Sequence, residues 1–112
     1  MKTLQQLLIQ TKTQQVTGAL DKDITAIEID SRKVKAGAVF VAITGAQSDG
    51  HAFIGKAIEL GAVAIVCENL PADLDAAVTY IKVASSGEAA ARMAVEFYYH
   101  PSTEVKLVGV TG

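Results

Sequence analysis

Asp30, Ser31 and Arg32 follow one another in the string IDSRKV. A carboxylate acceptor, a neutral hydroxyl and a permanent cation in consecutive positions offer a short polar grip for an anionic ligand. Further along, TGAQSDGH sets Ala46, Gln47 and Ser48 between glycines. Small residues in such a setting let backbone amides approach a ligand closely. One hairpin-like strand separates the two stretches, so they are expected to converge at one sheet edge and hold a diphosphate with a flat heterocycle. The same residues also suit a plainer reading, an Asx turn at Asp30 and an ordinary connector over residues 45–50. The pattern alone leaves both open.

Other chemistry-bearing residues point to structure. Cys67 ends an apolar run and reads as inert core. His51 and His100 lack a second Cys or His at metal-ligand spacing. Arg92 and Glu96 stand four apart on a predicted helix and read as a solvated pair. Glu68, Asp73 and Asp75 share one loop, where acid–base carboxylates look like surface charge. Tyr98, Tyr99 and His100 are expected to pack against the segment that follows. The closing VKLVGVTG rises like a strand into a phosphate loop, but the Gly-Lys-Ser/Thr of such a loop is absent.

The elements that must carry these residues follow from periodicity. Thr3 caps a first helix, with Gln6 at the capping-box position and Leu4, Leu7 and Leu8 as its apolar stripe. TKTQQVTGALDKD reads as a polar connector, and ITAIEID as a half-buried strand. A turn at Lys35–Gly37 precedes a buried strand from Val39 to Ile43. From His51 the period becomes helical, with Phe53, Ile54, Ala57, Ile58 and Leu60 on one face and Gly61 at the cap. AVAIVC is a strand covered on both faces, and Val78 to Val83 alternates as another. Ser85 and Glu88 open a helix that turns Ala89, Met93, Ala94 and Phe97 inward and stops at His100-Pro101. VKLVGV supplies the last strand. The alternation predicts an α/β fold, a mixed, largely parallel sheet of about four to five strands flanked by helices. A boundary is expected near His100–Ser102, with residues 1–101 as one domain and 102–112 as linker and first strand of a next.

Composition narrows the function. Ten basic against 12 acidic residues, a net charge of −2 and no Lys/Arg-rich block argue against binding nucleic acid through massed charge. With no Trp and 5% aromatic residues, base-stacking platforms are not expected. A single cysteine fits a reducing compartment, and no apolar run reaches the roughly 20 residues that span a bilayer. A cytoplasmic location is expected.

IDSRKVKAGAVFVAITGAQSDGHAFI, GAVAIVCE and FYYHPSTEVKLVGVTG together resemble the amino-terminal domain of the Mur ligases. Among these the strings are most similar to members that add the third, diamino acid residue of the peptidoglycan stem peptide. The D-alanyl-D-alanine-adding members and a stand-alone nucleotide-binding module are the alternatives. The resemblance implies that the domain binds the uridine diphosphate (UDP) end of the UDP-N-acetylmuramoyl-dipeptide substrate. Ile29, Ser31, Ala46, Gln47 and Ser48 fall on the positions that contact UDP. Ser31 would meet a phosphate oxygen, while Ile29 and the backbone of residues 46–48 would meet the uracil. Related ligases can carry a larger polar residue where Ala46 stands, which leaves a backbone contact there. Asp30 and Arg32 belong to the same motif, with a loop-holding role equally open. Gly112 falls at the start of an incomplete phosphate loop, so the chain reads as the first domain of a longer enzyme. In that full-length enzyme ATP and Mg2+ would activate the D-glutamate carboxylate for attack by the incoming amine. The 112 residues alone are expected to be inactive, and the choice of diamino acid would rest with a carboxy-terminal domain.

Overall fold

The computed structural model describes residues 2–44 and 50–99. Strands β1 (Lys2–Thr3) and β3 (Asp23–Ile24) form a small antiparallel pair. The main sheet has five strands: β2 (Gln15–Thr17), β4 (Ala26–Glu28), β5 (Ala38–Val41), β6 (Ala64–Cys67) and β7 (Thr79–Lys82). Their spatial order is β2-β7-β6-β5-β4. Strands β4 through β7 run parallel and β2 is antiparallel to β7, which bears out the mixed, largely parallel sheet.

The helices are α1 (Leu4–Leu7), α2 (Ile54–Glu59) and α3 (Ser86–Ala94), the last continued by a wider π-type turn over Val95–Tyr99. Both predicted amino-terminal caps are present. Thr3 and Gln6 form a reciprocal capping box, and the Ser85 hydroxyl accepts the Glu88 amide. Leu4 and Leu7 are buried as their spacing predicted, although α1 is only four residues long.

The sheet separates two apolar layers because successive side chains of each strand point to opposite faces. On one face Val39, Val41, Ala64, Val66 and Ile81 pack with Leu4, Leu7, Ala89 and Met93. On the other, Ala38, Phe40, Ile65, Cys67 and Tyr80 pack with Ile54 and Ala57. The strands β5 and β6 are accordingly buried at every position.

Four expectations need correcting. The stretch ITAIEID is not one strand: Asp23–Ile24 pairs with β1, while Ala26–Glu28 pairs with β5. The supposed polar connector contains β2, whose exposed residues carry no apolar alternation and need only the free edge of β7. Phe53 and Leu60 do not share the buried face of α2; they are 45% and 37% exposed. Residues Gly50–Phe53 wind as a 3-10 turn of three residues per turn, so the 3.6-residue stripe does not extend back to Phe53. Finally, β4 and β5 are parallel rather than the arms of a hairpin. The expected boundary near residue 101 and the final strand lie outside the described residues. Among the described residues, no helix is long and apolar enough to cross a membrane.

Candidate functional site

Parallel pairing decides where the two candidate loops go. In a hairpin, the segment between the strands and the segment after the second strand would leave from opposite sheet edges. Because β4 and β5 run parallel, residues 29–33 and the chain after Val41 both leave from the carboxyl edge of neighbouring strands. Ligands in open α/β sheets bind at that edge.

An open cleft of about 580 Å³ lies there, lined by Ile29, Asp30, Ser31, Arg32, Ile43, Gly50 and Phe53. Its size falls within the roughly 300–1,000 Å³ of small-molecule sites. Ile29 is 61% exposed, and with Phe53 it gives the cleft apolar surface. Ser31 lines the same cleft, although only 7% of its surface is exposed. Both predicted contacts of the first stretch therefore face one space. Ala46, Gln47, Ser48 and Gly112 lie outside the described residues.

The first wall is built by its own sequence. After β4, Asp30 caps a 3-10 turn over Ser31–Lys33, its Oδ1 accepting the Arg32 amide at 3.0 Å. The Arg32 guanidinium closes on the same carboxylate, Nε donating to Oδ1 at 3.1 Å and Nη2 to Oδ2 at 2.9 Å. Hydrogen bonds from the Arg32 side chain and amide hold the Asp30 carboxyl at about 2, below the ordinary 3.8. The loop-holding role left open for Asp30 and Arg32 is thus the one their hydrogen bonds perform. The turn fixes Ser31 between them.

The opposite wall is a closed neck. The Gly50 amide donates to the Ile43 carbonyl at 2.9 Å. A Cβ at Gly50 would stand 2.7 Å from Ile43 N and 3.1 Å from Ala42 Cα, so this approach requires glycine. Next to the neck, His51 Nε2 accepts the amides of Glu68 at 2.9 Å and Asn69 at 3.2 Å. Glu68 in turn accepts the Ser86 amide through Oε2 at 2.9 Å.

Ile43 and Phe53 escaped the sequence reading of the site, which took in Gly50 only as a flank of residues 46–48. Their signal was the shift from strand to helical period across residues 43–53, which marks a loop without saying which side chains line it. Other candidates resolve as structure. The Cys67 side chain is fully buried, and burial pushes its thiol up to about 11. Arg92 donates to Glu88, one turn earlier on α3, while Glu96 is buried rather than solvated. Asp75 accepts the Ala77 amide in a local turn, and Phe97 meets Tyr98 edge to face at 4.7 Å. Among the described residues no three His, Cys, Asp or Glu side chains gather as a metal site.

Fold and cleft together define an α/β domain with a candidate ligand cleft at the carboxyl edge of a largely parallel sheet. The profile of the Mur ligase family, catalytic domain, matches residues 23–98. The chain belongs to the Mur ligase family. It is 49% identical over 109 residues to UDP-N-acetylmuramoyl-L-alanyl-D-glutamate--2,6-diaminopimelate ligase of Bacteroides fragilis, covering 97% of this chain and 22% of that protein. The ligase of the same name from Cytophaga hutchinsonii is 51% identical over 98 residues, covering 87% of this chain and 20% of that protein. Among solved structures, the MurF ligase of Thermotoga maritima in complex with ADP aligns with a TM-score of 0.55 and 35% identity over 67% of this chain and 16% of that one. MurF of Acinetobacter baumannii aligns with a TM-score of 0.65 and 26% identity over 84% of this chain and 20% of that one. The chain spans about a fifth of the length of the curated relatives it matches.

Proposed function

We propose that this chain anchors the UDP moiety of UDP-N-acetylmuramoyl-L-alanyl-D-glutamate within an ATP-dependent ligase that adds 2,6-diaminopimelate to the peptidoglycan stem peptide. The observation that carries this reading is the cleft shared by Ile29, Ser31, Ile43, Gly50 and Phe53, in which two loops from adjacent parallel strands meet. Ile29 and Phe53 offer apolar surface to the uracil, and Ser31 offers a hydroxyl to a phosphate oxygen. Residues 46–48 follow Ile43 in the chain and complete the nucleotide contacts. Residues 1–101 form this anchoring domain, and 102–112 lead towards a central ATPase domain that begins its phosphate loop at Gly112. The activity is cytoplasmic.

The contribution of this chain is positional. Holding a remote, unreacting nucleotide converts an encounter into an oriented reaction, and such orientation can supply several of the roughly 7–11 kcal/mol available from proximity. ATP and Mg2+ supply the acyl-phosphate chemistry in the full-length ligase. On this reading the chemical steps belong to the rest of that ligase, and this chain contributes binding.

The solved MurF neighbours favour a second reading, the D-alanyl-D-alanine-adding ligase. The diaminopimelate reading is preferred because its relatives reach 49% and 51% identity. Ser31→Ala tests the shared core of both. A hydrogen bond to a charged phosphate is worth about 1.5–3 kcal/mol, so the KM of the full-length ligase for its UDP precursor should rise about tenfold or more. The kcat should change much less. An unchanged KM with a collapsed kcat rejects an anchoring role for Ser31.

A further inference from the structure

We infer that His51 is a positioning residue for the nucleotide cleft, a strap that holds the Ile43–Gly50 neck and the Phe53 wall against the end of strand β6. The inference rests on the UDP-anchoring reading of the cleft and assigns one of its supports. His51 follows the neck directly and stands two residues before Phe53. The neck bond between Gly50 and Ile43 joins the loop ends to each other, and the Ala42 amide ties the Ile43 side to Val66 of β6 at 2.8 Å; the Gly50 side needs its own attachment. His51 makes that attachment. Its Nε2 accepts two successive backbone amides, Glu68 at 2.9 Å and Asn69 at 3.2 Å, immediately beyond Cys67 at the end of β6.

Two converging N–H donors require a lone pair, which fixes Nε2 as the unprotonated nitrogen of the ring. The strap is continued by the Glu68 carboxylate, which accepts the Ser86 amide at the start of α3. The ends of β5, β6 and β7 are thereby laced together by side chains that do not line the cleft. A ring seated on two amides has little freedom to swing, so the adjoining wall is held before the ligand arrives. Such preorganisation appears in affinity, because ordering costs are removed from the binding step.

The test compares His51→Leu, which keeps bulk but no acceptor, with His51→Gln, whose side-chain carbonyl reaches about as far as Nε2. Amide exchange and amide chemical shifts are read in the 112-residue chain, first without ligand and then during titration with UDP. In His51→Leu the amides of Glu68 and Asn69 should exchange faster, and the shifts of Ile43, Gly50 and Phe53 should move. UDP affinity should fall about tenfold in the Leu variant and stay within about threefold of the parent in the Gln variant. In the full-length ligase the same loss should appear in KM and not in kcat. Unchanged exchange at Glu68 and Asn69 overturns the strap, whatever UDP does. Faster exchange with undiminished UDP affinity overturns the positioning role and leaves His51 purely structural. If the parent chain itself shows no response to UDP, the anchoring reading fails, while the ligand-free exchange still decides the strap. Should His51→Leu not fold, His51→Asn replaces it, since its shorter side chain leaves the carbonyl out of reach of both amides.

Discussion

The two ends of the parallel strands are built differently. At the amino edge, main-chain bonds join neighbouring segments directly. The Thr25 amide donates to Gly37, the Gly37 amide to Gly61, and the Val63 amide to Ala38. Lys22 Nζ adds a clamp by donating to the Val63 and Ala77 carbonyls at 3.1 and 2.7 Å. At the carboxyl edge, side chains hold main chain: Asp30 takes the Arg32 amide, His51 those of Glu68 and Asn69, and Glu68 that of Ser86. Side-chain supports hold loops apart and leave a cleft between them. On the proposed function we assign binding to the carboxyl edge, and to the amino edge we assign stability.

The largest expected effect that separates the two is Gly61→Ala. Gly61 follows α2 at φ +114°, and an added Cβ would stand 2.7 Å from Ala36 Cα and 2.9 Å from Ala36 N. Backbone strain of this sort costs on the order of 3 kcal/mol, which lowers the melting temperature by more than about 10 °C. Thermal unfolding checks the fall, and UDP affinity of the folded variant should stay within about twofold of the parent. An undiminished melting temperature would break the distinction between the edges.

Gly50→Ala applies the same crowding to the binding edge, against Ile43 N at 2.7 Å. There φ is not strained, so a smaller cost of about 1–2 kcal/mol is expected. The displaced neck should appear mainly as weaker UDP binding, measured by calorimetry on the folded variant. A Tm loss as large as that of Gly61→Ala, with affinity intact, would reverse the assignment.

Asp30→Asn should have the smallest effect and gives it a pH signature. The Asp30 carboxyl titrates at about 2 in the folded chain, below its ordinary 3.8. A depressed carboxylate contributes stability that is present above about pH 4 and lost as the pH falls towards about 2. The parent should therefore be slightly more stable than Asp30→Asn near neutrality, with the gap closing across that acidic window. Urea melts at pH 6 and pH 2 check the sign, and a gap that widens on acidification contradicts the Asp30–Arg32 grip. The group is exposed, so the gap is small.

Local signals in this chain were legible and were realised locally. The Thr3–Gln6 and Ser85–Glu88 caps, the fully apolar AVAIVC strand and the Gly61 terminus each depend on residues a few positions apart. The failures have the opposite character. Gln15–Thr17 becomes a strand only because β7 presents an unpaired edge sixty-odd residues later in the chain. Phe53 reaches the cleft only because a 3-10 turn rotates it off the stripe of α2. His51, dismissed as an unpaired metal ligand, found its partners in backbone amides, which no side-chain spacing can announce.

The order of residues therefore decided the caps, the buried strands and the inward faces of α1 and α3, because each is governed by neighbours within about one turn of chain. Tertiary structure alone decided that β4 and β5 run parallel. That choice sends Ser31 and Phe53 to the same edge of the sheet. Strand direction is set by pairing between distant segments and leaves no mark in the spacing of either strand.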